Sequence, residues 1–262
     1  MGTSMRRTIV LEVLLRLGPG VLMLVLFVAA WDVAVTTLHV PVWEMPPPHL
    51  VLHNFVSDWR MWMNDTGMTL FESVLGFSAG GVFGISVGMV FAHFRLLERL
   101  LYPYAIALKT IPLVALAPIL AIWFPNGMIA KVLMGAIITF FPCVVNTVMG
   151  LRSASPEALD LMRSLSASPF QIFRMLRLPS ALPGIFSALK ISSTLAVIGA
   201  IVAEMAGAEA GLGHRLILAE ERTDMATMVT AVILASLGGI VFFQAISILE
   251  RRVLYWIPPG GE

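Results

Sequence analysis

The chain has 262 residues, of which 58% are hydrophobic and 13% charged. That charge is about half the globular norm of roughly 25%, and a soluble protein of this size has no interior able to hide so much apolar surface, so an all-helical integral membrane protein is expected. The net charge of +1 gives no ground for a nucleic-acid partner, and the single cysteine, Cys143, excludes an intramolecular disulfide.

The N-terminal stretch MGTSMRRTIVLEVLLRLGPG is basic and partly apolar, and no small-x-small cleavage site follows promptly. It reads as the lead into an uncleaved first span over about 20–38, with Arg6, Arg7 and Arg16 before it. Residues 41–66 are rich in Pro, Trp and Met and read as an exposed connector whose tryptophans suit a membrane interface. These two pieces form an N-terminal region, 1–66, ahead of a core of five spans over 67–256 and a tail over 257–262.

Span two is expected from about Thr69 to His93. Gly76, Gly80, Gly84 and Gly88 recur at every fourth position on it, a helix face that lets another backbone approach closely and is expected to serve the dimer contact. Span three is placed at about 101–124 with Pro103, Pro112 and Pro118 inside it, and WFPNGM (123–128) reads as a tight turn. Span four runs from about Met128 to Leu151 and contains Pro142 and Asn146. Span five is about Gly184 to Ala206, and a polar connector over 207–224 has room for a re-entrant or interfacial helix. Span six runs from about Met225 to Leu249, closed by Glu250, Arg251 and Arg252. The total is about six.

Between spans four and five lies SPEALDLMRSLSASPFQIFRMLRLPSALP (155–183). Ser155 or Ser153 can cap a helix that Pro156 opens, and Pro169 can open a second after Ser168, because proline at a first helical position loses no hydrogen bond. Pro179 and Pro183 then punctuate the return to the membrane. Leu161, Leu165, Phe170 and Phe173 are candidate anchors for a partner's groove, or for lipid headgroups. Arg163, Arg174 and Arg177 add steering and specificity. With the N-terminus in the cytoplasm, eleven of the seventeen Lys and Arg residues fall in cytoplasmic segments and four on the opposite side, which puts this loop in the cytoplasm too.

No enzyme constellation appears: there is no HExxH, CxxC, GxSxG or GxxxxGK[ST]. No metal or cofactor site is expected, and any ATP use has to come from a separate subunit. Polar residues within the spans are few: Asp32, Glu72, Lys109, Asn146, Lys190 and Glu204. Glu72 and Lys109 are expected near interfaces, where long stems snorkel, and Lys190 within reach of the cytoplasmic face. Glu204, at the outer end of span five, is a candidate for the translocation path or its gate, with a structural ion pair or hydrogen bond as the other reading. Asn146 is a second path candidate. A stand-alone carrier or an intramembrane enzyme is the alternative; a carrier of that kind would show inverted repeats.

DLMRSLSASPFQIFRMLRLPSALPGIFSALK (160–190) resembles the cytoplasmic loop of permease subunits of binding-protein-dependent ABC importers. Asp160, Leu161 and Met162 stand where that family has Glu-Ala-Ala, Ser166 where it has Gly, and Leu178 and Pro179 match its Leu-Pro ending. VALAPILAIWF (114–124), TFFPCVVNTVMGL (139–151) and AEMAGAEAGLG (203–213) resemble the nitrate, sulfonate and taurine branch. The resemblance implies a multi-pass protein of the bacterial inner membrane with a coupling helix that docks an ATPase through Glu157, Asp160, Leu161, Arg163, Leu165, Ser166, Ala167, Ser168 and Phe170. It further implies a second permease copy in a homodimer, two ATP-binding subunits that carry ATP and Mg, an external substrate-binding protein and surrounding lipid. Ser166 puts a side chain where the family's glycine would ease a tight turn. The branch implies a small anion or a flat heterocycle as solute; the sparse charge in the spans, with no evident buried arginine, speaks against a permanent anion site in the pore.

Overall fold

The computed structural model describes residues 2–125 and 127–256, with side chains from Gly18 onward. The side chains of Arg6, Arg7 and Arg16 and the tail 257–262 lie outside the described residues. The helices, in chain order, are α1 (Gly2–Thr37), α2 (Pro48–Ser57), α3 (Trp59–His93), α4 (Arg95–Thr110), α5 (Leu113–Trp123), α6 (Met128–Leu151), α7 (Pro156–Ser164), α8 (Pro169–Ile172), α9 (Leu178–Met205), α10 (Leu212–Glu221) and α11 (Met225–Val253). Among the described residues five helical stretches are long and apolar enough to cross a membrane, and six if α4 and α5 are one span bent by 96°.

The chain divides into two compact units. The first takes in residues up to Trp59 and Leu218–Thr230. Within it Asn54 donates to the Thr227 hydroxyl at 3.0 Å, and Thr230 donates to the Val51 carbonyl at 3.4 Å. The stretch over 41–66 is more ordered than the expected connector. Pro47 is extended (ψ 153°) and Pro48 opens α2, so the prolines start a helix rather than prevent one. Trp62, expected at an interface, is buried, whereas Trp43 is exposed.

The second unit holds the bundle that matters for function. Here α6 lies between α3 and α9, and three glycines make that possible. A Cβ on Gly76 would stand 2.8 Å from the Cα of Gly135, and one on Gly199 would stand 3.3 Å from the same atom. Below this crossing Gly80, Gly84 and Gly88 continue along α6, against Ala136, Phe140 and Thr147. The four-glycine face is therefore occupied within the chain, by α6, instead of serving the dimer contact expected of it, because spacing on one helix does not say which helix it meets. Gly150 meets Ala181 at the far end of α6, where a Cβ would lie 2.9 Å from the Ala181 Cα. On the outside of α3 and α9, Phe77, Phe186, Val197, Phe242 and Ile246 form an apolar layer that brings in α11.

Two departures from the expected spans have local causes. The stretch over 101–124 is two helices: Pro112, without an N–H, stands in extended geometry (ψ 115°) ahead of α5. Span five is longer than expected, because α8 runs into α9 through a π-helical turn over Phe173–Arg177. There the Leu178 N–H reaches back five residues to the Phe173 carbonyl. The wider turn relieves the clash that the Pro179 ring would make with the preceding turn, so Pro179 and Pro183 sit inside one helical run over Pro169–Met205.

The α3–α6 contact predicts an asymmetric response to added methyl groups. Gly80→Ala drives a Cβ into the Ala136 backbone and should cost about 1–3 kcal/mol. Gly239→Ala, where a Cβ meets nothing within 4 Å, should be neutral or gain up to about 1 kcal/mol. Thermal unfolding midpoints of the two variants in detergent check this.

Candidate functional site

The first candidate is the loop between α6 and α9. Ser155 accepts from the Ala158 N–H at 3.2 Å, and Pro156 opens α7. Ser168 forms a reciprocal cap with Gln171: its hydroxyl accepts from the Gln171 N–H at 3.3 Å while the Gln171 carbonyl oxygen accepts from the Ser168 N–H at 2.7 Å. Between the two helices Ser166 takes φ +55°, the left-handed conformation that glycine adopts most cheaply. The tight turn forms with serine in place.

The side chains divide by direction. Leu161, Leu165 and Phe170 are 61%, 69% and 68% exposed, three large apolar side chains left open on the loop between α6 and α9. Glu157, Asp160, Arg163 and Ser168 are exposed around them and Ala167 is half-buried. Asp160 and Arg163 pair at 3.0 Å on the open surface, an interaction of little net worth. Phe173, expected as a fourth anchor, turns inward against Leu151, Ala181 and Ile185, with its ring 5.4 Å from that of His93. Arg152 braces the base of the loop through two hydrogen bonds to Glu98, 2.8 and 2.6 Å.

At the opposite end of the bundle lies a buried polar cluster. Glu72 and Lys131 pair at 2.6 Å, the carboxylate fully buried and the lysine 8% exposed. Glu72 is thus no snorkelling residue, and its Oε2 has no hydrogen-bond partner. Beside the pair, α10 begins with three amides that each meet a side chain from α3 or α9. The Gly211 N–H donates to Asp65 at 3.2 Å, the Leu212 N–H to the Thr69 hydroxyl at 2.9 Å, and the Gly213 N–H to Glu204 at 2.6 Å. Thr69 donates in turn to Glu204 at 2.7 Å, and Arg215 pairs with Asp65 at 2.5 Å. Carboxylates suit this end of a helix, where free amides and the positive end of the dipole converge. A Cβ on Gly211 would collide with the Glu204 carboxylate, and Gly211 has φ +107°, so this position excludes any side chain twice over.

Glu204 is therefore 1% exposed and faces inward in this conformation. Asn146 is half-buried and donates to the Pro142 carbonyl at 2.9 Å. Lys190 pairs with Glu250 at 2.9 Å. Lys109, expected near an interface, lies over the Phe141 ring, 5.0 Å from its centroid. Among the described residues no group of His, Cys, Asp or Glu is placed to hold a metal ion. The partners Asp65, Thr69, Lys131, Gly211, Gly213 and Arg215 were not singled out from sequence. The available signal was a lone acid and a lone base, Glu72 and Lys131, in two apolar runs near corresponding span ends.

Residues 80–255 match the family described as binding-protein-dependent transport system inner membrane component. The chain belongs to this family. It is 32% identical over 235 residues to a probable ABC transporter permease protein of Haemophilus influenzae, covering 89% of this chain and 94% of the relative. It is 32% identical over 240 residues to the formylaminopyrimidine transport permease protein ThiX of Halalkalibacterium halodurans, 92% and 96% of the two chains. Further relatives are named as riboflavin (Chloroflexus aurantiacus), taurine (Escherichia coli) and nitrate (Synechocystis) transport permeases. Among solved structures, an inward-facing MetNI methionine ABC transporter matches with a TM-score of 0.62 at 20% identity, over 77% of this chain and 98% of that one, which speaks for the fold.

Two predictions concern what holds the permease together at these sites. Lys131→Met leaves the Glu72 carboxylate buried without its counter-charge and should cost about 3–5 kcal/mol, whereas the double variant Glu72→Leu/Lys131→Met should recover most of it. Unfolding midpoints of the three proteins decide between this and a pair that contributes nothing. Ser166→Gly removes a left-handed serine and should stabilise the loop by about 0.5–1 kcal/mol, read as slower amide exchange over 165–172.

Proposed function

We propose that this ABC-importer permease forms the path for a small solute delivered by an external binding protein, works as a pair of identical copies, and takes its drive from two separate ATPase subunits. The observation that carries the reading is the ordered loop over 155–178. Its apolar anchors Leu161, Leu165 and Phe170 stand exposed, while Phe173, the π-helical turn and Arg152 fasten its base to α9, α6 and α4. A partner that seats on those anchors pushes on a continuous helical run rather than on a slack tether. ATP and Mg belong to the partner, and the excess of arginine on the loop side supports a cytoplasmic placement of loop and N-terminus. The named solutes of the relatives, among them taurine, nitrate, riboflavin and formylaminopyrimidine, set the range: small, polar and water-soluble. Two ATPase-driven positions of the loop would tilt the spans as bodies and open the path to one side at a time.

Truncating Leu165 or Phe170 to Ala removes an anchor whose full burial is worth roughly 1.5–3 kcal/mol, about tenfold or more in affinity. Each variant should insert normally yet lose ATP-driven uptake and bind the ATPase subunits more weakly. Cysteines placed at 160–172 should crosslink to the ATPase. Crosslinks confined to lipid, with ATPase stimulation intact in the alanine variants, would mean that the loop rests on the membrane surface.

A further inference from the structure

Lys109 stands in the last turn of α4, next to Thr110, where the helical run breaks and turns by 96° into α5. Its depth can be read from α6. Its ammonium lies 5.0 Å from the centroid of the Phe141 ring. Phe141 is 13 residues from the Met128 end of α6 and 10 from the Leu151 end, about 20 Å and about 15 Å along the helix axis. The cation is therefore near the middle of the span, deeper than a four-carbon stem can snorkel from.

At that depth a charge against lipid is costly, and ionisable groups there face a partner or a water-filled cavity. Lys109 has no carboxylate partner among the described residues. The acids of the bundle are taken: Asp65 by Arg215, Glu72 by Lys131, Glu98 by Arg152 and Glu250 by Lys190, while Glu204 is sealed by Thr69 and Gly213. The Phe141 ring supplies the negative face of its quadrupole and no counter-charge. The side chain is exposed on this chain. The break itself has the form of a discontinuous span, in which the C-terminus of α4 favours the Lys109 cation in its last turn and the N-terminus of α5 presents the positive end of its dipole.

We propose that Lys109 faces the translocation path and is the cation that meets a compact oxyanion, nitrate or the sulfonate group of a small organic solute, as it passes the break. This rests on the importer reading and narrows its solute to an anion. A lysine acts as a point charge with three rotatable donors, which suits a small oxyanion in transit better than a fixed, bidentate site would.

The test uses the assembled importer, permease with its ATPase subunits and binding protein, in proteoliposomes. Lys109→Cys in a Cys143→Ala background is treated with a water-soluble, anionic methanethiosulfonate. Labelling is expected; a thiol reached by a lipid-soluble maleimide and not by the water-soluble reagent overturns the proposal. ATP-driven uptake is then measured with labelled nitrate and propanesulfonate, against riboflavin and formylaminopyrimidine as uncharged solutes. At least one anion should be carried, with uptake falling about tenfold or more in Lys109→Gln and staying within about threefold in Lys109→Arg. Transport of neither anion, or anion uptake untouched in Lys109→Gln, overturns the assignment. Importer function is scored separately, by uptake of any of the four solutes and by co-purification of the ATPase. A complex that hydrolyses ATP and carries only uncharged solutes removes the role of Lys109 and leaves the importer standing, whereas a permease that retains no ATPase and carries nothing removes both.

Discussion

The bundle depends on the point where α3, α6 and α9 meet at Gly76, Gly135 and Gly199. In lipid there is no hydrophobic effect to drive one helix against another, because tails are as apolar as leucine. Close packing has to supply the attraction, and it does so only if backbones come near enough for many weak contacts. Removing three Cβ atoms at one level lets α6 sit against both neighbours at once. The apolar layer around Phe77, Phe186 and Phe242 then closes over α3 and α9 with α11.

The polar cluster beyond the crossing follows a different logic. Glu72, Lys131, Glu204, Asp65 and Arg215 are costly groups to bury, and they are kept because each satisfies something specific. The acids Asp65 and Glu204, with Thr69 between them, take up the first amides of α10, which would otherwise be unpaired inside the protein. Lys131 and Arg215 offset the charge this concentrates. The start of α10 is thus held by hydrogen bonds from two spans, and Leu212, 1% exposed, adds apolar burial.

Much of this was legible in the sequence where local chemistry decides. The bounds of α6 follow from a single apolar run between Gly127 and Arg152. The loop helices follow from Ser-Pro pairs at 155–156 and 168–169, whose capping geometry is local. The glycine face of α3 was readable as a close-contact surface, though its partner was not, because spacing within one helix says nothing about which helix it meets. Where prolines act in context, the reading failed in both directions. Pro48 starts a helix, Pro112 breaks one, and Pro179 is absorbed by a π-helical turn. Pairings across the bundle stayed hidden as well. Lys109 and Glu72 looked like a snorkelling pair of a kind, yet one sits mid-span and the other is sealed against Lys131, because depth follows from the tilt and breaks of helices rather than from distance along the chain.

The helical run over Pro169–Met205 has 37 residues, about 55 Å of rod. It is held against α6 at two levels, Gly150–Ala181 and Gly135–Gly199. Two such close contacts brace α6 and α9 against each other, with the loop at one end of the pair and Glu204 at the other. The elbow at Ile111–Pro112 lies outside this pair of helices, whereas the stretch that follows Met205 is pinned to it: Gly207 and Ala208 donate to the Glu204 carbonyl and Gly211 to Asp65. The helix that starts at the loop thus ends on the carboxylate that holds the Gly213 amide, so a single run of backbone joins the exposed anchors to the buried start of α10.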